Sequence, residues 1–351
     1  MAIRFLVIGG ITIDTLLGLG GEEHSRWKQG LQAGDEAERQ GSGAIGAVVC
    51  GGNAIYAGIG AAIWADQVSD IGLVGCIGAD YPRAWIAALR ASGMNLAGIR
   101  ELDRPHALTW QASYDRLGRR HECETGEELS AEARAHFLPV ADEQMPQEYL
   151  GAEAALCCQY ELDRQYPSCQ FLYERGIRIF LDPDETRSAQ LSRSGLRRFL
   201  QPVEVFLPSE REVPRFLSRY LPFQPGYLAH RLGRYGPGIV VLKLGQLGCL
   251  VYDRTHRACW QLPPWPGQVL DPTGAGDAYC GGFMVSYIQT GDPYEGALRG
   301  TVSASFVIED VGALPALQAL PRLRQEAPGR LEQMRRLVHG RVSCGSVGAT
   351  A

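Results

Sequence analysis

Nine residues in the C-terminal third, Asp271-Pro272-Thr273-Gly274-Ala275-Gly276-Asp277-Ala278-Tyr279, combine two carboxylates with a run of small side chains. Ala278, Tyr279, Phe283, Met284, Tyr287 and Ile288 continue this run as small or apolar residues at helical spacing, so Gly274-Ala275-Gly276 should stand at a helix N-terminus. Unpaired amides and the helix dipole make such a terminus an anion site. The small residues let a ligand approach the backbone. Asp277 falls in the first turn, where a carboxylate also has a capping role. An anion hole beside a carboxylate suits phosphoryl transfer: the carboxylate takes a hydroxyl proton while the amides offset charge on the phosphoryl oxygens. A Gly-rich turn with an Asp cap uses the same residues, and physics alone leaves the two readings level.

These residues need a scaffold. Short apolar runs at Phe5–Ile8, Ile71–Val74, Ala154–Cys158, Ile177–Leu181, Val203–Leu207, Ile239–Leu242 and Leu250–Tyr252 read as strands. Asn53–Ala65 and Trp85–Ala91 read as helices, and further helices begin near Ala278, Tyr294 and Pro315. Strands alternating with helices predict an α/β fold, a mostly parallel central sheet flanked by helices. Two segments break the rhythm, Gly18–Gly46 and Arg104–Glu124, the second containing the alternating Leu108-Thr109-Trp110-Gln111-Ala112-Ser113-Tyr114. Both suit strands of a small sheet standing off the main domain, and a long surface loop is the other reading of Gly18–Gly46. The Gly/Ser/Ala-rich tail, 341–351, reads as flexible.

The composition excludes several classes. With 351 residues, 45% hydrophobic and 21% charged, the chain is an ordinary globular one. A formal net charge of −5 without a basic run gives no support for nucleic-acid binding. No stretch is apolar enough to cross a membrane, and the brief apolar start reads as a first strand rather than a signal peptide, so a cytoplasmic location is expected. The 10 cysteines lack metal-ligand spacing and read as reduced, buried thiols. Gly41-Ser42-Gly43-Ala44-Ile45-Gly46 matches a dinucleotide fingerprint but follows a polar stretch rather than a strand. The chain has no Gly-Lys pair, which a Walker-type loop needs.

Asp271–Asp277 resembles the C-terminal signature of the ribokinase-like (pfkB-type) carbohydrate kinases, with Pro272 as its departure. The resemblance implies a ribokinase-like fold over residues 1–340, with a small β-sheet lid made by segments at about 15–50 and 104–125. It implies a magnesium- and ATP-dependent kinase that transfers the γ-phosphoryl group to a hydroxyl of a sugar or sugar-like molecule. Asp277 would be the general base, and the amides of Gly274, Ala275, Gly276 and Asp277 the anion hole. A nucleoside kinase of the same family and a catalytically idle sugar-binding member are the alternatives.

Other pieces match in the same order. Gly9-Gly10-Ile11-Thr12-Ile13-Asp14 resembles the first strand and the substrate-binding aspartate, and a carboxylate past a strand end accepts two hydroxyl bonds. Gly51-Gly52-Asn53-Ala54 resembles the N-terminal signature: the glycines would let the substrate approach, and Asn53 offers donor and acceptor, unless it merely caps a helix. Gly75-Cys76-Ile77-Gly78-Ala79-Asp80 matches a turn read as structural. On the nucleotide side, Lys243, Gly245 and Gly248 resemble the strand and turn that lie against ATP, with Thr273, Gly274 and Gly276 completing the site. Lys243 either reaches a phosphate or is solvated. Phe206–Glu212 resembles the element that organises magnesium, with Ser209 in place of Asn; Glu212 and Asp271 would hold the metal. Asp182-Pro183-Asp184-Glu185-Thr186-Arg187 resembles a further turn, whose Arg187 faces a phosphate or the surface. The family also admits a monovalent cation, and an exposed lid edge could pair two copies.

Overall fold

The computed structural model describes residues 2–17, 36–39, 45–106, 108–114, 120–122, 135–142, 145–158, 162–183, 192–217, 223–338 and 341–342. Its strands, in chain order, are β1 Phe5–Ile8, β2 Thr12–Leu17, β3 Glu36–Arg39, β4 Ile45–Gly51, β5 Ile71–Gly78, β6 Asn95–Leu102, β7 Thr109–Tyr114, β8 Arg120–Glu122, β9 Ala154–Cys157, β10 Arg178–Leu181, β11 Val203–Phe206, β12 Ile239–Lys243, β13 Cys249–Asp253, β14 Ala258–Leu262 and β15 Arg341–Val342. One sheet has the order β15-β14-β13-β12-β11-β10-β9-β1-β5-β6, and a separate five-stranded sheet has the order β3-β4-β2-β7-β8. The large sheet is parallel from β6 to β12 and antiparallel from β12 to β15.

Helices cover both faces, as a parallel sheet requires. Phe5 and Val7 of β1 point into one apolar cluster, Leu6 and Ile8 into the other. The first cluster includes residues of α1 Asn53–Trp64, α2 Arg83–Ala91, α6 Ala275–Thr290, α7 Pro293–Val307 and α8 Leu320–Leu337. The second includes residues of α3 Leu162–Tyr173, α4 Arg193–Leu200 and α5 Pro225–Gly233. Among the described residues no helix is long and apolar enough to cross a membrane.

The expected strands and helices form, with differences at the margins. Thr12–Leu17, Asn95–Leu102 and Ala258–Leu262 are strands that the apolar runs did not reveal. Asn95–Leu102 is an edge strand whose positions are half-buried or exposed apart from Gly98, so it lacks an apolar run. Arg341 and Val342, placed in the flexible tail by composition, pair with Trp260 and Cys259 as the edge strand of the large sheet. Cys259 is disulfide-bonded, against the expectation of reduced thiols, and its partner lies outside the described residues. Seven other cysteines among the described residues are buried thiols outside any disulfide. Of the two irregular segments, Glu36–Arg39, Thr109–Tyr114 and Arg120–Glu122 enter the small sheet; residues 18–35, 40–44, 115–119 and 123–124 lie outside the described residues.

Candidate active site

Strand β1 pairs with β5 on one side and β9 on the other, both parallel. Its carboxyl end is therefore a switch point, where crossovers leave in opposite directions and open a crevice. Gly9 lies there, and a Cβ on it would overlap Asn53 Oδ1 and touch Cys158. Asn53 begins α1, and Gly52 precedes it with φ of 107°, a conformation that favours glycine.

The neighbouring small sheet carries Asp14. Asp14 is buried, and Thr12 Oγ1 donates a hydrogen bond to its Oδ1. Burial pushes its carboxyl up to about 7, opposed by the Thr12 donor and reinforced by the negative charges of Asp271 and Asp277. The sheet docks on the main body through Leu16, Ala47, Val49 and Val311, with Trp110 and Leu270 against them.

The opposite wall is the N-terminus of α6. Gly274 is its N-cap with φ of 75°. Close crossing fixes this helix against α1: a Cβ on Gly60 would overlap Ala278 O, one on Gly281 would overlap Ala57 O, and one on Gly274 would enter the Tyr56 ring. Glycine at 274 therefore serves packing as well as backbone conformation. Ala275 N donates to Pro272 O at 3.3 Å, so this amide, expected in the anion hole, is engaged by the turn. Gly276 is different: among the described residues, outside its own helix, the atoms within 4 Å of its missing Cβ belong to Lys243, with Nζ at 3.6 Å.

Lys243 is neither solvated nor at the surface. It is buried, and its Nζ donates to Asp182 Oδ1 at 2.6 Å. Burial would lower its ammonium; Asp182, with Cys280 and Glu212, more than offsets this and holds the group charged, well above its ordinary range. Gly245, φ 54°, fronts open space, while a Cβ on Gly248 would overlap Leu262 O.

Asp271 was expected beside the metal. Its Oδ1 instead accepts from Thr273 N at 3.0 Å and Thr273 Oγ1 at 2.6 Å, and its Oδ2 accepts from Gly312 N at 3.1 Å. These bonds commit both oxygens, and the Thr273 hydroxyl, to closing the loop. Burial pushes the Asp271 carboxyl up, opposed by these donors. Glu212 is buried, and its Oε2 accepts from Ser209 N. Among the described residues no three His, Cys, Asp or Glu side chains gather to cage a metal. Magnesium is ordinarily held by one or two carboxylates, water and phosphate oxygens, and Glu212 is the buried carboxylate that its loop would offer to one. The open faces of Gly245 and Gly276, with the ammonium of Lys243 beside the second, suit a polyphosphate.

The structure thus brings Asp14, Thr12, Gly51, Gly52 and Asn53 together at the end of β1, and Gly274, three residues before Asp277, packs on Tyr56 in the first turn of the helix that Asn53 begins. It brings Lys243 to Gly276. Arg187 lies outside the described residues. Sequence reasoning missed Asp182 as the partner of Lys243; a lone interior lysine in a chain whose only other lysine is Lys28 was the available signal.

Residues 54–320 match the family model described as pfkB family carbohydrate kinase. The chain is 28% identical over 229 residues to the cytidine kinase of Thermococcus kodakarensis, covering 65% of this chain and 77% of that one. Its fold is similar to the nucleoside kinase of Burkholderia thailandensis in complex with inosine, with a TM-score of 0.68, 18% identity and coverage of 96% of this chain and 100% of that one. It is similar also to a putative ribokinase II from E. coli in complex with ATP and Mg2+, with a TM-score of 0.63, 17% identity and coverage of 92% and 99%.

Proposed function

The chain belongs to the pfkB family of carbohydrate kinases, phosphotransferases with an alcohol group as acceptor, and from that premise we propose that it transfers the γ-phosphoryl group of ATP to a hydroxyl of a nucleoside or sugar, with Asp277 as general base. The observation that carries this reading is the close packing of Gly274, the N-cap of α6, on Tyr56 in the first turn of α1, which sets the helix turn carrying Asp277 beside the one that Asn53 begins.

Asp14 and Asn53 hold the acceptor hydroxyls. Asp277 takes the proton of the reacting hydroxyl, whose oxygen bonds to the γ-phosphorus as the bond from that phosphorus to the β–γ bridging oxygen breaks and ADP leaves. The amides of Gly276 and Asp277 and the ammonium of Lys243 offset the charge on the phosphoryl oxygens. Gly245 lets the nucleotide approach its strand. Magnesium, when bound, neutralises phosphate oxygens, and Glu212 is the carboxylate that would hold its water shell. The small sheet acts as the lid, excluding water from the acceptor.

A nucleoside is the favoured acceptor. An apolar group lines the end of β1: Leu108 Cδ1 would lie 3.6 Å from a Cβ on Gly10. Trp110 is the register partner of Asp14 in the adjoining strand, so the two side chains share a face. The relatives named cytidine kinase and nucleoside kinase agree with this choice.

The test is ADP release with a panel of nucleosides, sugars and vitamin alcohols, repeated with Asp277→Asn. The reading requires turnover with at least one alcohol and a loss of about 10²–10⁴-fold in kcat for the variant, with ATP still bound. A stable variant that keeps most of its kcat overturns it.

A further inference from the structure

Resting on the kinase reading, we infer that Lys243 is the cation that meets the transferred γ-phosphoryl group, and that Asp182 is the residue that positions it. Asp182 follows the last residue of the parallel strand β10, and Lys243 ends β12, two strands away in the large sheet. Their side chains meet above the intervening strand with Nζ and Oδ1 at 2.6 Å, and the Asp182 side chain is fully buried. The same ammonium lies 3.7 Å from Cys280 Sγ, and Cys280 Sγ lies 3.5 Å from Asp182 Oδ2. Cys280 is one turn beyond Asp277 on α6. The pair is therefore seated beneath the first turn of the anion-binding helix, against Gly276.

The main chain at the root of this side chain is held as well. Lys243 N donates to Pro208 O at 2.9 Å, and Lys243 O accepts from Glu210 N at 2.9 Å. Lys243 is thereby stitched to the loop that carries Glu212. A buried ion pair of this kind is weak evidence for stability, because desolvation offsets most of the attraction. Its location supplies another reason for it. An ammonium has three donors, of which Asp182 Oδ1 accepts one and Cys280 Sγ, at the longer distance usual for sulfur, accepts another. A phosphoryl group arriving at Gly276 would meet a cation already desolvated and aimed, with no side-chain ordering left to do.

The placement separates the γ-phosphoryl from the rest of the nucleotide. Lys243 sits near Gly276, one residue before the proposed base, whereas Gly245 and Gly248 lie in the turn beyond β12. Loss of the ammonium should therefore weaken binding of a triphosphate far more than binding of a diphosphate. Asp182 acts through Lys243 and touches no substrate in this assignment.

The experiment is titration calorimetry of magnesium-bound AMP-PNP and of magnesium-bound ADP against wild type, Lys243→Met, Asp182→Asn and the double variant. The double variant removes both buried charges and so guards against misfolding by a single uncompensated one. Lys243→Met and the double variant should lose about tenfold in AMP-PNP affinity while ADP affinity changes less than about twofold. Asp182→Asn should shift in the same direction by a smaller factor. Folded variants that bind both nucleotides as wild type does, or that lose both equally, overturn the assignment and leave the kinase reading standing. Wild-type protein that binds neither nucleotide overturns the kinase reading itself.

Discussion

The carboxylate of Asp14 fills the space that a side chain on Gly51 would occupy, so that an added Cβ would overlap Oδ1, Oδ2 and Cγ. Gly51 lies opposite Thr12 in the antiparallel pair of β2 and β4, and Thr12 is the donor that holds Asp14. The Gly51-Gly52 pair read from the sequence as an opening for substrate is thus partly a seat for the residue that reads the substrate. Gly51→Ala should displace the carboxylate without touching the main core. We expect acceptor KM to rise by the equivalent of about 1–3 kcal/mol, the cost of an unmet buried polar contact, with ATP KM unchanged. Steady-state kinetics on the acceptor found by the panel provide the check, and an unaltered acceptor KM would remove Gly51 from this role.

Asp14 also predicts a pH dependence. Burial first, with Asp271 and Asp277 adding to it against the Thr12 donor, raises its carboxyl from 3.8 to about 7. The folded protein then holds this proton more tightly than the unfolded chain does. Its contribution to stability is full below about 3.8 and is lost as pH rises through about 7. Asp14→Asn should flatten that slope in denaturant melts taken between those limits. Acceptor binding runs the other way, since the ionised carboxylate accepts hydroxyl bonds best; wild-type acceptor KM should fall as pH rises through about 7, and the variant should lose that limb. A wild-type KM flat across this range would contradict the placement.

Gly274 and Gly276, adjacent in one signature, should respond differently to the same methyl group. Gly274 has φ of 75°, and its Cβ would enter the Tyr56 ring. The left-handed conformation alone costs a non-glycine residue roughly 1–2 kcal/mol. Gly274→Ala should therefore melt well below wild type. The Gly276 Cβ would meet only Lys243, at 3.6 and 3.8 Å, which is ordinary contact. Gly276→Ala should melt close to wild type. Equal melting temperatures for the two variants would mean that the crossing of α1 and α6 is looser than its glycines indicate.

Much of this was legible in the sequence because local patterns dictate it. Phe5–Ile8 is buried on both faces and reads as an unbroken apolar run; Asn53–Trp64 is small and apolar at helical spacing. The Asp271–Asp277 signature located the helix N-terminus, since its glycines and aspartate have few other uses together. The partnerships were not legible. Nothing local links Asp182 to Lys243, 61 residues apart, or Asp271 to Gly312, 41 residues apart. Asp271 looked like a metal ligand because a buried carboxylate in a signature has the right chemistry; the backbone amide that claims its second oxygen comes from a distant turn. Arg341 and Val342 carry no strand pattern, because an edge strand formed by backbone pairing asks little of side chains.

The two carboxylates assigned to magnesium by sequence should now separate. Asp271 accepts from Thr273 N, Thr273 Oγ1 and Gly312 N, so both of its oxygens already serve the fold. Asp271→Asn keeps one acceptor and replaces the other with a donor that faces the Gly312 amide or the Thr273 groups. Leaving a buried donor unmatched costs about 1–3 kcal/mol, and the melting temperature should fall accordingly. The magnesium concentration for half-maximal activity should stay as in wild type. Glu212→Gln keeps an acceptor for Ser209 N, the bond that closes its loop, so the fold should persist. It removes the charge that would hold the ion's water shell, and more magnesium should be needed for half-maximal activity. Titrating magnesium against activity, with a thermal melt of each variant, distinguishes the two. A Glu212→Gln enzyme with wild-type magnesium dependence would take Glu212 out of the site, and a displaced dependence in a thermally normal Asp271→Asn enzyme would restore Asp271 to it.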